Sequence, residues 1–144
     1  MDLQDCVRFA NNNSTCFLAT TDGDQPRVRA FLMWFADETG FHFLTFPTKD
    51  VSRQLKANPK VEICFYNNPA NFQGMRQLRV TGKAEFLDND ELKTRAVQER
   101  AHLEQAIGQP LAPILEVFRV GSGEAHFWTV KDFLREPQIE RSRF

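Results

Sequence analysis

FHFLTFPTKDVSRQLKANPKVEICFYN, residues Phe41–Asn67, is the stretch whose reading decides the fold. Residues 41–46 are almost all apolar or β-favouring, as a buried strand requires. Pro47 stops the ladder because it has no backbone N–H to donate. Thr48 is placed to cap a helix beginning at Lys49, which runs until Asn58-Pro59 ends it. Val61–Asn67 resumes as a strand. A strand feeding a helix start that carries a hydroxyl and a lysine suits an anion. The free N–H groups and the positive end of the helix dipole act in the same direction as the side chains. The same residues also describe an ordinary capped helix with a surface lysine, so the rest of the chain has to choose.

Upstream, residues 2–10 place Leu3, Cys6, Val7 and Ala10 on one helical face, and Asn11–Asn13 ends the helix. Thr15–Thr21 reads as a strand, Asp22-Gly23-Asp24 as a tight hairpin turn, and Pro26–Ala36 as one long strand. That strand carries Val28, Ala30, Leu32 and Trp34 on one face and Arg27, Arg29, Phe31, Met33 and Phe35 on the other. Both faces are apolar from Ala30 onward, which predicts that both are covered. Downstream, Arg76–Leu87 alternates cleanly, with Gly82 marking a bend or bulge. Asp88 and Glu91 suggest a capping box for a single helix over 89–107, closed by Gly108. Leu115–Trp128 is a last strand with a possible break at Gly121-Ser122-Gly123, and the tail to Phe144 has no clear period. About six strands and three helices with hairpin-like connections argue against a doubly wound sheet. The expectation is a mostly β fold, a small closed or half-closed antiparallel barrel with flanking helices.

A chain of 144 residues is expected to form one domain, 1–144. A formal net charge of −1 gives no bulk attraction for nucleic acid. Fourteen phenylalanines are hard to hide in a small monomer, which points to a dimer interface or a flat apolar ligand. Cys6, Cys16 and Cys64 are odd in number, far apart and without a CxxC, so reduced thiols in a cytoplasmic protein are expected. The first residues lack the features of a signal peptide, and no run approaches the roughly 20 apolar residues of a membrane span. His42, His102 and His126 have no metal-ligand spacing, and no nucleophile elbow, Walker loop or dinucleotide fingerprint is present. Any chemistry is therefore expected to come from a cofactor. Arg29, Thr45, Thr48, Lys49 and Gln77 would converge on one such molecule if strands 26–36, 41–46 and 76–87 are neighbours.

FLATTDGDQPRVRAF, FHFLT followed by a helix ending at LKANPKV, RQLRVTGKAEFL and the terminal Phe127-Trp128 occur in order over about residues 14–128. In this the chain resembles the pyridoxamine 5′-phosphate oxidase-like family of FMN-binding split barrels. The resemblance implies a six-stranded antiparallel split β-barrel with short helices. It also implies a homodimer with two FMN sites at the subunit interface and a small-molecule substrate. Arg29 would approach the flavin phosphate or ribityl chain, and the backbone around Ala30 the flavin's polar edge. Leu44 and Thr45 would line the cofactor, with Thr48 and Lys49 at its phosphate. Gln77 would reach a flavin held mainly by the partner subunit, and Trp128 would lie near the ring system. By residue type alone, Arg29 and Gln77 read equally as solvated strand residues, Thr45 as a β-former and Trp128 as core.

The chain also departs from that family. Where the oxidases carry Ser-Arg-Lys at the helix start, this sequence has Lys49-Asp50-Val51. Trp34 stands where they place a substrate lysine, their Tyr…Arg…Ser set is not reproduced, and no Arg-x-His follows Trp128. The expectation is an FMN-dependent oxidoreductase of other specificity, without pyridoxamine phosphate oxidase activity. The same fold holding a deazaflavin or haem, or a non-enzymatic flavin-binding module, is the alternative.

Overall fold

The computed structural model describes residues 2–144. Helix α1 (Leu3–Asn12) starts at Asp2, whose carboxylate accepts from Asp5 N–H while Asp5 caps back, and it buries Cys6, Phe9 and Ala10. Strands β1 (Thr15–Asp22) and β2 (Gln25–Leu32) pair as a hairpin in which Asp22 faces Gln25. Gly23 opens the two-residue loop at φ +63°, a conformation glycine adopts freely. Strands β3 (Phe35–Asp37), β4 (Gly40–Thr45), β5 (Lys60–Tyr66), β6 (Arg76–Leu87), β7 (Glu116–Thr129) and β8 (Ser142–Arg143) complete an eight-stranded antiparallel sheet. Its order is β2-β1-β5-β6-β7-β4-β3, with β8 added to β7.

The expected single strand 26–36 is two strands, β2 and β3, and this raises the strand count from six to eight together with β8. The chain leaves the ladder at Met33-Trp34: Met33 N–H donates to Ser14 O and Trp34 N–H to His42 O. β2 therefore ends one edge of the sheet and β3 begins the other, so the chain itself closes the barrel. The possible break at Gly121–Gly123 is a register shift instead. Gly82 faces Gly123, whereas Ala84 faces Val120. A Cβ on Gly123 (φ +155°) would stand 1.9 Å from Thr81 O, so the shift depends on glycine there.

Inside the barrel Phe43 stacks on Phe118 at 5.0 Å, and Phe31 meets both edge-on. Each fully buried side chain of this kind stabilises by about 1.5–3 kcal/mol. Only Phe17, Phe72 and Phe133 among the phenylalanines are exposed, so the barrel absorbs most of the aromatic surplus. The expectation that both faces are covered from Ala30 onward holds for Phe31, Met33 and Trp34 but not for Ala30 and Leu32, which are exposed, Leu32 at 57%.

The expected helix over 89–107 is two, α3 (Asp90–Glu99) and α4 (Ala101–Ile107), with Arg100 outside helical geometry between them. Between Ala96 and Leu103 no apolar residue but Val97 and Ala101 supports one straight stripe, and α4 buries nothing. Asn89, not Asp88, is the cap, its side chain accepting from Leu92 N–H. The tail forms two 3-10 turns (Val130–Asp132 and Glu136–Gln138) before β8. Among the described residues no helix is long and apolar enough to cross a membrane.

Candidate functional site

The helix after Phe46, α2 (Asp50–Ala57), turns its apolar stripe of Val51 and Leu55 inward. It bridges from the β1–β2 hairpin, where Asn58 reaches Thr21 and Arg53 reaches Asp22, to β7, where Ser52 donates to Glu116 at 2.6 Å. Its start corrects the sequence expectation. Lys49 is the N-cap residue, the helix begins at Asp50, and no side chain caps it. Thr48 is exposed and one residue too early, so its hydroxyl does not serve the first turn.

Beside that helix start lies a cleft of about 470 Å³ lined by Arg27, Arg29, Lys49, Asp22, Asp50 and Gln54 among others. Its two acids are already claimed: Arg27 and Arg53 flank Asp22 at 3.6 and 3.2 Å, and Arg53 lies 3.8 Å from Asp50. The hydrogen bond from Arg53 holds the Asp22 carboxyl below its ordinary range. Among the described residues neither Arg29 nor Lys49 is paired with a carboxylate. Lys49 lies over the Phe31 ring, 5.0 Å from its centroid, a contact that orients the ammonium without neutralising it.

Arg29 has the same strand parity as Phe31, so it points inward at the end of the barrel. Its Nη1 donates to Thr20 Oγ1 at 2.8 Å and to Leu18 O at 3.3 Å, and its Nη2 to Gln54 Oε1 at 2.6 Å. Burial lowers its pKa from the ordinary value, and the guanidinium stays protonated at neutral pH. The site thus offers two cations with no carboxylate at ion-pair distance among the described residues, and the free N–H groups of a helix start, a donor set suited to phosphate or another compact anion.

The remaining expected residues divide between places. Ala30 lies on the outer face of β2, exposed and opposite Phe17. Thr45 is buried in β4, and its Oγ1 has no hydrogen-bond partner among the described residues. Leu44 points the other way and packs with Trp34, Ala96 and Val117, away from the cleft. Gln77 and Trp128 face each other across β6 and β7. They line a second groove of about 720 Å³ with Phe17, Tyr66, Phe72 and Phe133. Arg79 stacks 4.6 Å over Trp128, donates to Gln77 Oε1 at 3.1 Å, and is neutralised by Glu136 at 3.5 Å. One chain therefore does not unite the expected set: β1 and β5 separate the Arg29 strand from the Gln77 strand.

Sequence reasoning missed Thr20 and Gln54, both 3% exposed. The signal was present, since Gln54 is a long polar residue beside Val51 and Leu55 on the buried face of α2, which also carries Ser52.

The sequence model of the pyridoxamine 5′-phosphate oxidase family matches residues 3–128. A NimC/NimA family protein from Clostridium acetobutylicum is 27% identical, with 99% of this chain and 93% of that one covered at a TM-score of 0.76. PhzG from Burkholderia lata 383, solved with tetrahydrophenazine-1-carboxylic acid, is 19% identical, with coverage of 98% and 83% and a TM-score of 0.66. HutZ, a haem storage protein from Vibrio cholerae, is 17% identical, with coverage of 88% and 93% and a TM-score of 0.65. The last two likenesses concern the fold alone.

Proposed function

This chain belongs to the pyridoxamine 5′-phosphate oxidase family, and from that premise we propose that it is an FMN-binding flavoprotein, an oxidoreductase that does not oxidise pyridoxamine phosphate. The observation that carries the reading is the cleft in which, among the described residues, neither Arg29 nor Lys49 has a carboxylate at ion-pair distance while Asp22 and Asp50 both lie against Arg53. A phosphate monoester supplies the missing counter-charge, with Arg29 and Lys49 as its ligands and the first N–H groups of α2 beside them. Thr48 keeps a place only as an exposed neighbour of that site.

A bare cleft on one chain does not enclose a flavin ring, and the second groove supplies what is missing. Val28, Leu32 and Phe17 are 70%, 57% and 46% exposed on the outer face of the β1–β2 hairpin. Burying that face against a second copy makes a homodimer, in which one subunit's cleft holds the phosphate and the partner brings a ring-lined groove with its Gln77 and Trp128. Ala30 lies on this same exposed face, opposite Phe17, and in this reading its backbone meets the cofactor, whereas Thr45 is buried and does not line the cleft. Bound flavin supplies hydride or electron transfer at its isoalloxazine ring; the protein supplies binding, orientation and exclusion of water. The lack of oxidase activity follows from Trp34, which is 8% exposed in an apolar cluster and offers no cation to a substrate phosphate.

The test is titration of the purified protein with FMN and riboflavin, read by absorption and fluorescence. FMN is expected to bind and to bind more tightly than riboflavin, and peroxide release with pyridoxamine 5′-phosphate is expected to stay at background. A Soret band in the co-purifying chromophore would replace flavin by haem, and a blue-shifted band by a deazaflavin. A flavin that anaerobic NAD(P)H fails to bleach would leave a binding module without turnover.

A further inference from the structure

We infer that Gln54 is a specificity-determining residue, which aims the Arg29 guanidinium and keeps it uncompensated, so that the cleft discriminates a phosphorylated ligand from its neutral counterpart. The inference rests on the reading of the cleft as a phosphate site. Gln54 Oε1 accepts two hydrogen bonds, from Arg29 Nη2 and Thr20 Oγ1, each at 2.6 Å. Thr20 Oγ1 in turn accepts from Arg29 Nη1 at 2.8 Å, and Leu18 O takes a further contact at 3.3 Å. Gln54 and Thr20 are 3% exposed, so water does not substitute for either. The three side chains form a closed ring joining α2, β1 and β2, and they immobilise one edge of a planar fork.

A guanidinium has five N–H donors, so the ring leaves Nε–H and one Nη2–H for an external acceptor. The chemistry of Oε1 matters as much as its position. A carboxylate there would hold the same geometry but neutralise the charge, whereas a neutral amide oxygen fixes the guanidinium and leaves its charge to the ligand.

The experiment measures the riboflavin-to-FMN ratio of dissociation constants in wild type, Gln54→Glu, Gln54→Leu and Arg29→Ala, at low and physiological salt. Gln54→Glu is expected to lower the ratio about tenfold or more and to flatten its salt dependence, with riboflavin affinity little changed. Gln54→Leu is expected to lower it less, because the charge remains but is no longer aimed. A residue that only holds α2 in place would weaken both ligands alike, and that result overturns the inference. Gln54→Glu keeps the acceptor and so remains readable should Gln54→Leu fold poorly. A ratio that falls in Arg29→Ala but in neither Gln54 variant overturns the inference alone. A ratio indifferent to all three removes the phosphate from this cleft and takes the inference with it.

Discussion

The cleft beside α2 and the aromatic groove over Gln77 and Trp128 are opposite solutions to holding a ligand. In the cleft, polar groups are fixed by other polar groups, and net positive charge is left over: Arg29 is pinned by Thr20 and Gln54, and Lys49 has only a ring beneath it. In the groove Arg79 is spent on Glu136 and on the face of Trp128, and the lining is largely aromatic. The first arrangement selects for charge and the second for shape. A molecule with a phosphate at one end and a flat ring system at the other satisfies both, but within one chain β1 and β5 lie between the two strands concerned. The proposed homodimer is the arrangement that would bring the two together.

The largest expected effect comes from severing the two sites. Leu32→Asp puts a carboxylate on the outer face of β2, where the side chain is 57% exposed in the isolated chain and its loss costs the fold little. In a dimer the same carboxylate is buried without a partner, at a cost of at least about 3 kcal/mol. Sedimentation at micromolar concentration should show a folded monomer, and flavin retention should fall with it. A variant that remains dimeric and keeps its flavin breaks the pairing of the sites across this face.

Next in size is the charge of the cleft. Lys49→Ala should weaken FMN by about 1.5–3 kcal/mol, the range for a hydrogen bond to a charged group, and leave riboflavin nearly untouched. Trp128→Ala should do the opposite in kind, weakening both ligands alike by about 1 kcal/mol through lost ring contact. Titration calorimetry of the two ligands against the two variants reads all four values. Equal losses for Lys49→Ala, or an FMN-only loss for Trp128→Ala, would erase the distinction between a charge-selecting and a shape-selecting site.

How much of this was legible in the sequence depends on the range of the interaction. Period-two alternation places Arg29 on the face of Phe31 and Met33, and an inward-pointing cation at a strand's polar end is a readable anomaly. Proline, the Asn-Pro step and the Gly23 turn act within a few residues, and the elements they bound fall close to where they are read. The cap of α2 is misplaced by one residue because Lys49 takes the extended conformation itself, which a threonine beside it conceals. The break at Met33-Trp34 was not legible, since it is imposed by the need of β3 to pair with β4, a partner defined only once the barrel closes. Leu44 fails to reach the cleft for a related reason. Parity alone puts it opposite Thr45, but which side of β4 faces α3 and which faces the interior is settled by tertiary packing. Gln54 and Thr20 are far apart in sequence, and a hydrogen bond between them becomes visible only when α2 is docked on β1.

The smallest effect is a difference in how the two halves respond to pH. No histidine lines the cleft, whereas His126 sits on β7 on the same sheet face as Trp128, in register with Arg79, and His42 sits on β4 stacked 4.1 Å from Phe35. Burial pushes His126 below its ordinary 6.5, helped by Arg141 and Arg79 and opposed by Glu62 and Glu124. Burial lowers His42 likewise, with Arg119 adding to it and Asp37 opposing. Each is therefore neutral in the folded chain at a pH where the unfolded chain already takes up a proton. Stability is complete above about pH 6.5 and declines as the pH falls from there through the folded-state values, because the unfolded state binds more protons in that window. Asp22 and Asp37 are lowered as well, from their ordinary 3.8, so their contributions are also lost as the pH falls, but from about 3.8 downward. Urea midpoints at pH 8, 6.5 and 5 should fall in that order, and His126→Gln should remove part of the drop between 6.5 and 5. A midpoint that is flat over this interval, or a drop left whole by both His126→Gln and His42→Gln, would mean that these two histidines take up protons no differently when folded.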